Sequence, residues 1–175
     1  MKLRELFEAP AKQAAFALGR LNPATIGHER LVNAIKSAPG DPYLFLTDRS
    51  AKLPDDPLSP EEKLAWAKLS FDGIDIQLAK TVLNAADKLY KMGYREVTFL
   101  EGEDKLYKLL KQYNGEDKPN HFYKFDKIDY VRLERDAEAG GAKGMSASKM
   151  REYVYADDFE NFEKGVTDKA KGQAQ

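Results

Sequence analysis

Cysteine is absent from the 175 residues, and its absence removes three chemistries at once: a disulfide scaffold, a thiolate metal site and a cysteine nucleophile. It also fits a reducing compartment, so a cytoplasmic location is expected. Net charge is nearly absent too. The 28 basic residues are balanced by 29 acidic ones for a formal charge of −1, so bulk electrostatic binding to nucleic acid is not expected and the expected partners are small ligands. No apolar run approaches the ~18 residues of a membrane span, and the charged amino-terminal stretch lacks the apolar core of a secretory signal. Histidine occurs only twice, with no cluster of metal ligands around it, so no metal held by the protein alone is expected.

The length suits one domain that buries roughly two-thirds of its unfolded surface. The expected division is an arm or cleavable leader over residues 1–10, a single domain over 11–167 and a frayed tail over 168–175. The chain is organised around Gly19-Arg20-Leu21-Asn22-Pro23-Ala24-Thr25-Ile26-Gly27-His28. Before it, Gln13 to Leu18 is apolar enough for a buried strand; after it, Leu31, Val32 and Ile35 recur at helical spacing. This is a strand, a loop and a helix in succession. Gly19 frees the backbone as it leaves the strand, Pro23 stiffens the loop, and Gly27 clears the helix mouth. Unpaired N–H groups at that mouth favour an anion, with His28 as an extra donor. A polyphosphate is the expected ligand.

Tyr43 to Thr47 reads as a second strand, with Asp48 and Arg49 just past its end where open parallel sheets bind ligands. The irregular segment 51–58 lies on the same side. Ser59-Pro60-Glu61-Glu62 is a helix start with serine as cap, proline in the first turn and glutamate completing a capping box. That helix runs to about Phe71, and Trp66 reads as core packing. A short strand at 73–76 and a helix from Leu78 to Met92 follow. Glu96 to Leu100 is the next strand, leading through Gly102, Glu103 and Asp104 into a helix, with Gly102 near a ligand and Asp104 capping the helix or accepting from a sugar or base. One or two strands are expected around Phe122 to Phe125 and Ile128 to Val131, and His121 reads as a loop residue.

A second site stretch is Gly140-Gly141-Ala142-Lys143-Gly144-Met145-Ser146-Ala147-Ser148-Lys149-Met150-Arg151. It lacks the Gly-Lys-Ser/Thr of a P-loop. It reads instead as a glycine loop feeding a helix near Ser146, with Ser148 and Arg151 three apart on one face. Two hydroxyls, an ammonium and a guanidinium gathered at a helix mouth form a second anion site. A last helix begins at Asp157 and ends at Gly165. The fold expected from these alternating units is α/β: a Rossmann-like, doubly wound parallel sheet of about five strands with helices on both faces.

Taken together, the two stretches resemble signatures of one superfamily. The first is similar to the G-x-F-(D/N)-P-x-(H/T)-x-G-H motif, and the second to the S-(S/G)-T-x-x-R motif, of the nucleotidyltransferases that include nicotinamide-nucleotide adenylyltransferases, cytidylyltransferases and pantetheine-phosphate adenylyltransferase. Gly19, Asn22, Pro23, Gly27 and His28 match directly, as do Ser146 and Arg151. Leu21 replaces the usual phenylalanine, Thr25 takes the His/Thr position, Ser148 replaces threonine and Ala147 is a small-residue variant. The resemblance is strongest to the cytidylyltransferase-like proteins of tailed phages, which usually read Gly-Ser-Asp where Glu103 stands here.

The resemblance implies transfer of a nucleoside monophosphate from ATP or CTP to a phosphate-bearing acceptor, with release of pyrophosphate. It implies His28, Thr25, Lys149 and Arg151 as catalytic groups, and Gly19, Arg20, Asn22, Pro23, Gly27, Gly102, Asp104, Ser146 and Ser148 as nucleotide contacts. Mg²⁺ is expected to arrive on the triphosphate. A phage origin would place the protein in the host cytoplasm or in the virion, and Leu6-Phe7-Glu8-Ala9 resembles the Leu-any-Glu cut of prohead proteases. The alternative from another class is an inactive nucleotide-binding or virion-associated protein on the same fold, to which Glu103 inclines, since an acid near a triphosphate repels it.

Overall fold

The computed structural model describes residues 10–134 and 145–171. The Leu6-Phe7-Glu8-Ala9 stretch and the glycine loop 140–144 therefore lie outside the described residues. The elements in chain order are β1 (Gln13–Gly19), a 3₁₀ turn (Ile26–His28), α1 (Glu29–Ser37), β2 (Asp41–Thr47), α2 (Pro60–Ser70), β3 (Asp75–Ala79), α3 (Val82–Lys91), β4 (Glu96–Glu101), α4 (Lys105–Gln112), β5 (Lys127–Arg132), α5 (Ala147–Tyr155) and α6 (Phe159–Lys164). The sheet has the order β3-β2-β1-β4-β5 and is parallel at every pairing. This is the Rossmann-like α/β architecture.

Side chains alternate across a strand, and here both faces are covered. Ala15, Ala17, Leu44 and Leu46 meet α1 and α2 through Val32, Ile35, Ala67 and Phe71. Ala14, Phe16, Tyr43 and Phe45 meet α3 and α4 through Ala85, Ala86, Leu89 and Leu110. Burial on both faces explains why β1 and β2 read as continuous apolar runs rather than alternating ones.

Strand order reverses between β1 and β4, because the chain builds β1, β2 and β3 outward in one direction and then returns to the other side of β1. Crevices at such switch points are the ligand sites of open α/β sheets. Phe16 lies opposite Phe99 in the β1–β4 register. The pairing stops there, short of Gly19 and Glu101, so the two strands end without pairing to each other and their loops leave from the same edge of the sheet.

Three expectations change. The strand expected at 73–76 extends through Leu78, which pairs with Leu46, and Ala79, which pairs with Thr47. The helix starts later because Thr81 caps it, its hydroxyl accepting from the Asn84 N–H at 3.2 Å. Residues 122–125 form no strand although Tyr123 and Phe125 are buried. Their backbone is held by the Asn114 amide, which donates to the Phe125 carbonyl at 3.0 Å and accepts from the Phe125 N–H at 2.8 Å. Residues 168–171, read as a frayed tail, pack on α2: Ala170 is fully buried and the Lys169 ammonium donates to the Lys68 carbonyl. The capping box of α2 forms as expected, with Ser59 and Glu62 exchanging both bonds.

Candidate functional site

β1 ends at Gly19, where a Cβ would collide with the Leu21 side chain folded back over it. Leu21 has φ of +40°, a region that costs a branched side chain strain. Burial of the side chain in the α1/α2 core holds it there. The next residue, Asn22, is buried. Its amide donates to the Leu58 carbonyl at 3.1 Å and accepts from the Leu58 N–H at 3.1 Å. Arg20 reaches the same segment, pairing with Asp56 at 2.9 Å and donating to the Asp55 carbonyl. Asn22 and Arg20 thus clamp the 51–58 segment onto the first loop.

The turn that follows differs from the sequence expectation in one chemical respect. Its N–H groups are not free: Ile26 donates to the Gly165 carbonyl, Gly27 to the Thr25 hydroxyl, and His28 to the Thr25 carbonyl. Thr25 is fully buried, and its hydroxyl donates to the Met145 carbonyl at 2.8 Å. This hydroxyl joins the two site stretches and is not available to phosphate oxygens. Thr25 is absent from the crevice lining, and its hydroxyl ties the two stretches together.

His28 closes the capping box in reverse. The Thr25 N–H donates to Nδ1 at 2.9 Å. A ring nitrogen that accepts carries no proton, so the neutral ring bears its hydrogen on Nε2. Burial pushes the imidazole pKa down to about 4, which the Thr25 N–H reinforces, because protonating Nδ1 would set two N–H groups against each other. His28 lines the crevice. It is a neutral imidazole with an N–H to offer.

α5 supplies the other wall. Ser146 caps it by accepting from the Lys149 N–H at 3.2 Å. The Ala147 and Ser148 N–H groups stand in the first turn of α5, where a helix has no intrahelical acceptor to offer them. Arg151 then bridges: its guanidinium donates to the Asn22 carbonyl at 2.7 Å and to the Ser148 hydroxyl at 3.1 Å. Together these groups line a cavity of about 440 Å³ formed by Gly19, Arg20, Leu21, Asn22, His28, Leu31, Ala147, Ser148 and Arg151. Lys149 is exposed and outside this lining. Ser146, Gly27 and Thr25 support the walls from behind.

A second cavity of about 580 Å³ lies beyond β4 and β5, lined by Gly102, Glu103, Arg132, Leu133 and Glu134. Glu101 beneath it accepts from the Leu106 N–H at 3.2 Å, and desolvation raises its carboxyl pKa above the ordinary value. Asp104 makes no cap bond to α4 and instead pairs with Lys108 at 2.8 Å, so it lies outside the cavity lining. That hydrogen bond holds its carboxyl below the usual range. Asp48 and Arg49 are exposed beyond β2 and line neither cavity.

Sequence reasoning missed Asp56, Leu58 and Lys63. Lys63 is buried and its ammonium donates to the Thr47 carbonyl and, at 3.2 Å, to the Thr47 hydroxyl. Desolvation lowers its pKa, against the opposing pull of Asp56 and Asp48. The only sequence signal was a lysine inside an otherwise apolar helix face. Pro23 faces away from the crevice, into a third, apolar cavity. Trp66 packs as expected, and its indole N–H also holds the Ala24 carbonyl at 3.0 Å. Among the described residues no group of three His, Asp or Glu side chains could hold a metal ion, and no helix is long and apolar enough to cross a membrane.

No family model and no curated protein matches the chain. Among solved structures, it is similar to Plasmodium falciparum nicotinic acid mononucleotide adenylyltransferase complexed with NaAD, at 12% identity and a TM-score of 0.51, over 85% of this chain and 89% of that one. The chain therefore has the five-stranded parallel fold on which that nucleotidyltransferase is built.

Proposed function

We propose that the protein is a nucleotidyltransferase that moves a nucleoside monophosphate from ATP or CTP to a phosphate-bearing acceptor, releasing pyrophosphate. The observation that carries this reading is the meeting of two distant stretches at the sheet's switch point. Arg151 bonds the Asn22 carbonyl, Thr25 bonds the Met145 carbonyl, and His28 and Ser148 line the same crevice. The nucleotidyltransferase neighbour supports the same reading at the level of fold.

An acceptor phosphate oxygen attacks the α-phosphorus, a P–O bond forms, and the bond to the β-phosphate breaks with its electron pair leaving on pyrophosphate. Such transfer asks for positioning and charge stabilisation more than for covalent help. The His28 Nε2–H donates to the α-phosphate, and stays neutral, so it neither gains nor loses a proton at physiological pH. The Arg151 guanidinium, the Ser148 hydroxyl and the first-turn N–H groups of α5 hold the leaving phosphates. Lys149, on the outer face, adds positive charge at longer range. The base and ribose extend across β1 and β4 towards Gly102 and Arg132. Mg²⁺ would accompany the triphosphate with most of its water retained.

The test is thermal unfolding with ATP, CTP, GTP and UTP in turn, each with Mg²⁺. A ligand of the folded state at a hundred times its dissociation constant adds about 2.7 kcal/mol. A shift with one nucleotide, lost in Arg151→Ala, is the expected result and names the donor. Pyrophosphate release with a panel of acceptors then separates an enzyme from an inactive nucleotide-binding or virion-associated protein. No shift with any nucleotide overturns the reading.

A further inference from the structure

α2 is apolar on two faces. Leu64, Ala67 and Phe71 pack towards the sheet, while Ala65, Trp66 and Leu69, with Glu62 at the helix start, follow the i, i+3, i+4, i+7 spacing of a second stripe. Of that second stripe, Trp66 also packs on the core, while Ala65 and Leu69 are exposed. The stripe forms one wall of a cavity of about 480 Å³, whose other walls are Pro23, the 53–58 segment, and Val154 and Tyr155 of α5. Four large side chains on this cavity are exposed: Leu53 at 72%, Leu69 at 41%, Val154 at 58% and Tyr155 at 55%. Apolar surface of this kind, gathered in a concavity of ligand size, marks a binding site.

The position of the cavity says what kind of ligand it takes. Arg151 lines both this cavity and the phosphate crevice, and Pro23, on its rim, follows directly on Asn22 of the crevice. Among the described residues Arg151 makes no ion pair, and its guanidinium is held by a carbonyl and a hydroxyl. The other charged residue, Glu62, is engaged with Ser59 at the helix cap. The 53–58 segment that walls the cavity is the one Arg20 and Asn22 clamp to the first loop, and the Tyr155 hydroxyl donates to its Pro54 carbonyl at 3.3 Å.

We propose that this cavity holds the apolar body of an amphiphilic acceptor, a molecule whose anionic phosphate head passes the edge formed by Pro23 and Arg151 into the crevice. The proposal rests on the nucleotidyltransferase reading for the role of acceptor, and adds to it the class of molecule: a phosphate ester with a hydrocarbon or aromatic body. Trp66, Tyr155 and Phe162 line the cavity and suit either. The apolar lining supplies affinity in proportion to the surface buried, and the head supplies orientation.

Trp66 is the single tryptophan of the chain and lines this cavity, so selectively excited tryptophan fluorescence gives a signal from its wall. The experiment is titration of the full chain with butyl, hexyl and octyl phosphate, with inorganic phosphate and the matching alcohols as controls. Affinity should rise about fourfold per methylene while the chain fits the cavity. The alcohols should bind at least tenfold more weakly than the phosphates, a charge-assisted hydrogen bond being lost. Leu69→Glu and Val154→Asp, at exposed positions that tolerate charge, should each weaken octyl phosphate tenfold or more and leave the nucleotide-dependent thermal shift unchanged. Affinity independent of chain length, binding by inorganic phosphate alone, or equal binding in Leu69→Glu overturns the proposal. So does a dimer in solution that covers the cavity, read as the mass from light scattering and its collapse to monomer in Leu69→Glu. Nucleotide binding is scored on a separate curve, so failure of the cavity and failure of the nucleotide reading give different results.

Discussion

The Thr25 N–H points at Nδ1 of His28 across 2.9 Å, and that one bond sets the state of the imidazole. It places the ring hydrogen on Nε2 and, with burial, depresses the pKa to about 4. Heteronuclear NMR should find the Nε2–H tautomer throughout the neutral range and a titration midpoint well below the ordinary 6.5. A midpoint near 6.5, or the Nδ1–H tautomer, would show that the turn does not hold the ring.

The same shift makes a statement about stability. The unfolded chain takes up the His28 proton near pH 6.5 and the folded chain only near 4. Stability from this group is complete above pH 6.5, is lost progressively as pH falls from there to about 4, and stays level below. The loss is up to about 3 kcal/mol. Denaturant unfolding of the protein and of His28→Asn at pH 7 and pH 4.5 should show the smaller decline in the variant. Parallel declines would assign the acid sensitivity to other groups.

For turnover, His28→Ala should lower the rate about a hundredfold or more while the protein still folds, the scale for removing one donor to developing charge. Because the wild-type ring stays neutral, the rate should show no inflection between pH 6 and 8 from this residue. An unchanged steady-state rate in the variant would remove His28 from the chemistry.

The sheet was more legible than the site, for physical reasons visible in single residues. β1, β2 and β4 stand out because burial on both faces leaves their centres almost wholly apolar, and α2 announces itself through Ser59, Pro60 and Glu62, all local signals. Leu78 misled because it sits four before Val82, a spacing that strand and helix share by accident when a cap residue such as Thr81 intervenes. The site's residue types were readable, but their partners were not. That the Ile26 N–H is taken by the Gly165 carbonyl, or the Thr25 hydroxyl by the Met145 carbonyl, depends on chain segments far apart in sequence. Lys63 and Asp56 were invisible for the same reason: nothing local says that a lysine will meet the Thr47 carbonyl.

Thr25→Val tests that long-range bond. The substitution keeps the shape, but it leaves the buried Met145 carbonyl and the Gly27 N–H without the hydroxyl each now uses. An unsatisfied buried group costs about 1–3 kcal/mol, or roughly 2–10 °C in a domain of this size. Nucleotide affinity should fall too, since the hydroxyl ties the crevice walls together. A variant with unchanged melting and unchanged affinity would show that the walls hold without it.

Glu103 lines the cavity beyond β4 and β5, with Glu134 and, among the described residues, Arg132 as its one cation. Relieving one of these acids should help a polyanion. Glu103→Ser should bind nucleoside triphosphate roughly three- to tenfold more tightly at low ionic strength, with the gain shrinking at high salt because the charge is exposed and screened. Weaker binding would show instead that Glu103 accepts a hydrogen bond from the base or ribose.

Arg151 separates charge from geometry. Its fork holds the Asn22 carbonyl and the Ser148 hydroxyl at once, a bridge that a single ammonium on a flexible stem does not reproduce. Arg151→Lys keeps the positive charge and loses the bridge, so if geometry matters its triphosphate affinity should fall tenfold or more, nearly as far as in Arg151→Ala. The measurement is calorimetric titration of all three proteins with the nucleotide that raises the melting temperature. Full affinity in the lysine variant would mean that charge alone is needed. The link between α5 and the first loop would then serve the fold and not the ligand.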